Sequence, residues 1–177
     1  MAIKPDRTYF VPTKQFTVPS SVTKADAYQN AYNTRANHIT AVVRLDPKTG
    51  QSEMATLLLA RLPSKGNQGN TLRMRALAAD AQGNVYVGGP SASYPPHSEG
   101  AFGLTSGGAY LVVFNDKFQR IYAATLAGDG TTNAIAVGAG MLAVVGDCKV
   151  KLATHGPLKA AGDAEGDGFI TLFTLRE

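Results

Sequence analysis

The chain repeats itself, and that constrains its fold more than any other feature. ALAADAQGNVYVGG (76–89) holds a short apolar segment, a glycine-containing turn and a second apolar segment. AIAVGAGMLAVVGD (134–147) has the same plan 57 to 58 residues later. AYLVVF (109–114) returns as GFITLF (168–173) at an offset of 59. An earlier copy, HITAVVRLD (38–46) followed by MATLLL (54–59), parallels 109–115 followed by 121–126 at a spacing of about 69. A unit that recurs in fixed order at such a period buries its apolar face by stacking on its neighbours.

The units are made of strands. Apolar runs are short, rich in Val, Ile, Thr and Tyr, and bounded by Gly, Pro, Asn and Asp. Ten strands are expected, at 8–11, 39–45, 54–61, 74–79, 84–88, 109–114, 120–126, 134–137, 141–145 and 169–175. DPKTG (46–50), DAQG (80–83), NDKFQ (115–119) and GAG (138–140) are the tight connections, where glycine supplies positive φ. Helical periodicity is confined to 25–33, a short helix or turn.

Antiparallel strands in repeating groups of four predict an all-β fold of β-propeller blades. A parallel β-helix has a shorter period, and a sandwich does not repeat its own sequence. The innermost strand of each blade has to be narrow, and the Ala-rich ALAAD and AIAVG fit that place. Bulkier VYV, YLVVF and IYAATL fill the wider gaps between blades. The division is an N-terminal arm with a partial blade strand (1–38), a partial blade (39–79), one complete blade (76–126) and a partial C-terminal blade (134–177). Two and a half blades do not close a ring, so the open blade edges are expected to be completed by another chain or by copies of this one. A sheet assembly that only borrows blade-like units is the remaining architecture.

The chain resembles the bacterial β-propeller repeats of the SBBP type, named for seven-bladed propellers, over most of its length. The residues that carry the likeness are ALAADAQGNVYVGG (76–89), the Pro-containing link SASYPPHSEGAFG (91–103), GAYLVVFND (108–116) and RIYAATLAG (120–128). In the earlier copy they are Ala27, Tyr28 and Gln29 and the turn VVRLDPKTG (42–50). The last copy departs from the pattern: GDCKVKLATHGPLKAAGDAEGDG replaces the Pro-rich link, and Gly138 stands where the inner strand has Asp80 in the preceding copy. The resemblance implies the propeller fold and an exported or cell-surface setting, and it implies no shared activity.

Other features bound the partners. Net charge is +4, but Lys149, Lys151 and Lys159 are the nearest approach to a basic cluster, which argues against nucleic-acid binding. The N-terminal MAIKPDRTYF lacks the apolar core of a signal peptide, which points to a cytoplasmic or processed chain and pulls against the setting the resemblance implies. No apolar run reaches the length of a membrane span. Cys148 is the one cysteine, so no disulfide forms within the chain; a small buried hydrophobe is the expected role.

Candidate chemistry is sparse. Asp163, Glu165 and Asp167 alternate in a Gly-rich segment and are candidate oxygen ligands for Ca²⁺, although no closing Glu follows; the alternative is a solvated turn. The second Gly/Asp-rich stretch is GDGTTNAIA (128–136). His38, His97 and His155 lie far apart, and only Cys148 with His155 is close enough in sequence to form a metal pair. SYPPHSEGAFGLTSGG (93–108) offers Ser, His and Glu, but no GxSxG nucleophile elbow is present. SKGNQGN (64–70) lacks P-loop spacing and reads as a hairpin tip. At inner-strand ends, where a propeller places a site, stand only Asp80 and Asn133. Phe16, Tyr28 and Tyr32 in the N-terminal arm are candidate contacts to a neighbour, or parts of an ordinary link. No catalytic residue and no bound organic cofactor is expected. The functional expectation is a non-catalytic structural or protein-interaction subunit of a larger assembly. The alternative is a ligand-binding, glycan-binding or hydrolytic propeller domain of an exported bacterial protein.

Overall fold

The computed structural model describes residues 40–66, 68–156 and 166–175. Among them are ten β-strands, a three-residue 3-10 helix at Pro63–Lys65 and no α-helix. The first four strands are β1 (Thr40–Leu45), β2 (Ser52–Leu58), β3 (Ala60–Leu62) and β4 (Gln68–Asn70). They pair as two antiparallel hairpins, β1–β2 and β3–β4. The other six are β5 (Ala76–Ala79), β6 (Val85–Pro90), β7 (Ala109–Phe114), β8 (Arg120–Gly138), β9 (Met141–Leu152) and β10 (Asp167–Thr174). These form one antiparallel meander in which each strand lies beside its sequence neighbours. The expected all-β, antiparallel character therefore holds for the described residues. No helix among them is long and apolar enough to cross a membrane.

The four expected tight connections are all turns. Gly50, Gly83 and Gly140 take positive φ, and the Gly83 N–H donates to the Asp80 carbonyl at 3.1 Å. At 115–119 the left-handed residue is Phe118, with φ 57°. A side chain there costs roughly 1–2 kcal/mol. The cost is offset because the Phe118 ring is buried beside Phe114, under the Arg44 guanidinium.

Two strands differ from expectation. The segments 120–126 and 134–137 are one strand, β8, and the Gly/Asp-rich stretch between them is part of it. Its backbone finds partners because β9 runs on to Leu152: Ala127 pairs with Leu152, Asp129 with Val150 and Thr131 with Asp147. Register shifts at Asp129/Gly130 and Thr132/Ala134 let this long strand bend. The run 54–61 is instead divided at Leu59 into β2 and β3. The expected strand at 8–11 and the helix or turn at 25–33 lie outside the described residues.

The bend in β8 curls the meander into a half-barrel, and brings the far half of β8 against β5 and β6. β7 is buried on both faces, as its unbroken apolar run requires. On the concave face Tyr86, Leu111, Val113 and Leu126 meet Leu142, Val144 and Phe169. On the convex face Val87, Tyr110, Val112 and Phe114 meet Val42 and Leu58 of the β1–β2 hairpin. The hairpin is clamped at its tip: Arg44 Nη1 donates to the Asp116 carbonyl at 2.9 Å, and its Nε pairs with Glu53 at 3.1 Å.

Candidate functional site

The bend of β8 also builds an open recess. Three backbone segments converge there: the end of β6 with the link after it (90–94), Ser106 and the two glycines before β7 (106–108), and the bend itself (128–131). They approach more closely than side chains would allow. A Cβ on Gly108 would lie 2.6 Å from the Gly130 carbonyl oxygen, and one on Gly130 would overlap the carbonyl of Asp147. Glycine is therefore required where these strands meet. The floor is bare backbone, and the Gly108 N–H donates to the carbonyls of Ala127 and Gly128, at 3.0 Å each. The groove above it has a volume of about 590 Å³.

Its walls are polar. Hydroxyls come from Ser91, Ser93, Ser106 and Thr131, carboxylates from Asp129 and Asp147, and an ammonium from Lys149. Tyr94, an aromatic residue that is 42 % exposed, stands beside them. The Tyr94 backbone is fixed on both sides by Arg61: its carbonyl accepts at 2.8 Å and its N–H donates at 3.2 Å. Asn133 Nδ2 donates to Asp147 Oδ2 at 2.6 Å and steadies that carboxylate. Two motifs that the sequence keeps apart, GDGTTNAIA and the C-terminal part of SYPPHSEGAFGLTSGG, thus share one groove. Lys149, from the loose basic cluster, lies beside them.

The other candidate residues are dispersed. Asp163, Glu165, Phe16, Tyr28, Tyr32 and His38 lie outside the described residues. Asp167 opens β10, exposed, with Cys148 as its register partner. No group of three or more His, Cys, Asp and Glu side chains among the described residues is arranged to hold a metal ion. Ser98 is occupied structurally: its N–H donates to the Ala123 carbonyl, and its hydroxyl accepts the Ala123 N–H, both at 2.9 Å. Glu99 sits at an exposed turn, and the Nδ1 of His97 is buried without a partner among the described residues. Asp80 closes the β5–β6 turn, where it accepts from the Asn84 amide (2.8 Å), the Asn84 N–H (2.9 Å) and the Tyr86 hydroxyl (2.9 Å). Cys148 is buried in the concave core, as expected of a small hydrophobe. Burial, reinforced by the charges of Asp167 and Asp147, pushes its thiol pKa up. A thiol so placed is a poor nucleophile.

The groove was legible only in fragments. The polar residues and glycines stand out in the sequence, but their convergence depends on how far β8 bends. No family model matches this chain, and no curated protein or solved structure matches it either.

Proposed function

We propose that this chain is a non-catalytic structural subunit that assembles with copies of itself, its sheets stacking face to face as propeller blades do. The observation that carries the reading is the unequal fate of three equivalent residues. Val42, Leu111 and Ile170 occupy the same place in the three sequence repeats, at spacings of about 69 and 59. Val42 is 2 % exposed and Leu111 fully buried, each against the repeat that follows it. Ile170, in the last repeat, is 70 % exposed.

Ile170 does not stand alone. Leu172 beside it is 62 % exposed; Val145, the cross-strand partner of Ile170, and Met141, opposite Thr174 at the end of the same strand pair, are exposed too. Ala134 and Ala136 of β8 continue the same face without a charge. A continuous apolar surface of this kind marks an interaction site. β10 also pairs on one side only among the described strands, and its sole charge is Asp167, so it lacks the lysines and prolines that guard a free edge. The occupant that fits is a further repeat of the same kind. A second copy supplies one in its β1–β2 hairpin, whose outward residues Ala41, Val43 and Leu57 are apolar and only half-buried. Head-to-tail contact between unlike faces closes a ring when the rotation permits. The resemblance to bacterial seven-bladed-propeller repeats points the same way.

Light scattering on the size-exclusion peak tests this. The expected result is a discrete species at a multiple of 18.5 kDa that dissociates when Ile170 and Leu172 are both changed to lysine. A stable monodisperse monomer at micromolar concentration overturns the reading, including one that binds only an unrelated protein.

A further inference from the structure

The groove between the β8 bend and the link after β6 is chemically specific in a way that stacking does not explain. We propose that it is a binding site for a neutral saccharide. The inference is independent of how copies of the chain assemble.

The lining argues against an apolar ligand, an anion and a metal ion. An apolar ligand would take water from the hydroxyls of Ser93 and Ser106 and from the charges of Asp129 and Lys149 without replacing its hydrogen bonds. An anion would meet two carboxylates, Asp129 and Asp147, against one lysine. A hard divalent cation takes six or more oxygen ligands, and among the described residues no cluster of three metal-ligating side chains exists. A polyhydroxylated neutral molecule suits what remains. Its hydroxyl groups donate to the carboxylates, accept from Lys149 and exchange hydrogen bonds with the serines.

Tyr94 supplies the second requirement. A pyranose has one apolar face of C–H groups, which packs on an exposed aromatic ring whose hydroxyl reaches water. The paired backbone contacts with Arg61 hold that ring's main chain in place before any ligand arrives, and Asn133 does the same for the Asp147 carboxylate. Pre-set groups lower the ordering cost of binding. A volume of about 590 Å³ lies within the range of small-molecule sites.

Saturation-transfer difference NMR on the full chain provides the test, with glucose, galactose, mannose, N-acetylglucosamine, lactose and cellobiose each at millimolar concentration. At least one sugar is expected to receive saturation from the protein. Tyr94→Ala and Asp129→Asn should each weaken its affinity by roughly tenfold or more, the cost of a lost charge-assisted hydrogen bond or stacking face. Both variants should keep the parent's circular dichroism and melting temperature, because neither side chain is buried. No transfer to any sugar in the panel, or transfer undiminished in both variants, overturns the proposal.

Discussion

Thr132 lies across Gly88 and fastens the curl of the sheet. Its hydroxyl donates to the Tyr110 carbonyl at 2.8 Å, and its methyl occupies the space that a Cβ on residue 88 would need. A Cβ there would sit 2.5 Å from the Thr132 Cγ2 and 3.0 Å from the Tyr110 oxygen. The far half of β8 rests on β6 at this point because residue 88 has no side chain. Gly88→Ala is expected to destabilise the fold by about 1–3 kcal/mol, the usual cost of overpacking a rigid core. Urea denaturation measures it. Gly138→Ala, which meets open space at a φ that suits any residue, should change stability by no more than about 0.5 kcal/mol. Thr132→Ser keeps the hydroxyl and removes the obstructing methyl, so the double variant with Gly88→Ala should recover part of the loss.

The repeat equivalence of Leu111 and Ile170 makes opposite predictions for two similar side chains. Leu111→Ala should cost about 2–5 kcal/mol, because it opens a cavity between β7 and the folded-over half of the sheet. Ile170→Ala should leave the unfolding free energy of the separated chain within about 0.5 kcal/mol and weaken self-association instead. Denaturation and sedimentation read the two effects separately.

The Asp80–Tyr86 pair makes stability depend on pH at both extremes. Burial alone raises the Asp80 pKa, but the hydrogen bonds from Asn84, Tyr86 and the Gln82 backbone outweigh it and hold the carboxyl below its ordinary 3.8. Its contribution is thus present above pH 3.8 and is lost as pH falls through the lower folded-state value. Burial, then the hydrogen bond to Asp80 and its charge, push the Tyr86 phenol up to about 12. That contribution is present below pH 10 and is lost as pH rises toward 12. Tyr86→Phe should remove this residue's alkaline loss and move the acid loss to higher pH. Urea midpoints measured across the pH range, for parent and variant, decide it.

Cys148 should react slowly. With its thiol buried and its pKa raised by burial and by Asp167 and Asp147, alkylation by iodoacetamide at pH 8 is expected to lag well behind that of a free thiol. Denaturant should restore the ordinary rate. Fast labelling of the native chain would place the thiol outside the concave core.

Individual strands were readable because their signals are local. AYLVVF was expected as a strand at 109–114, and β7 has those bounds, since a short apolar run between Gly-rich and Asn-Asp turns has few other ways to pair its backbone. The tight connections followed from glycine and from Asp and Asn side chains that bond their own turns. The Gly/Asp-rich stretch at 128–133 carried the signals of a loop and became the middle of β8. Its backbone partners lie in β9, and no local rule reports a strand that extends seven residues beyond its expected end.

What the sequence by itself determined was the material of the fold: short antiparallel strands and the turns that join them. These depend on side-chain alternation and on the φ each residue tolerates, properties that act over a few residues. What only the tertiary structure decided was which faces meet. Whether Leu111 is buried, whether Thr132 reaches Gly88, and whether Tyr94 and Asp129 border one groove all turn on how sharply β8 bends. That bend is set by register shifts and close backbone approaches between segments dozens of residues apart, where the free energy belongs to the contact and to neither sequence alone.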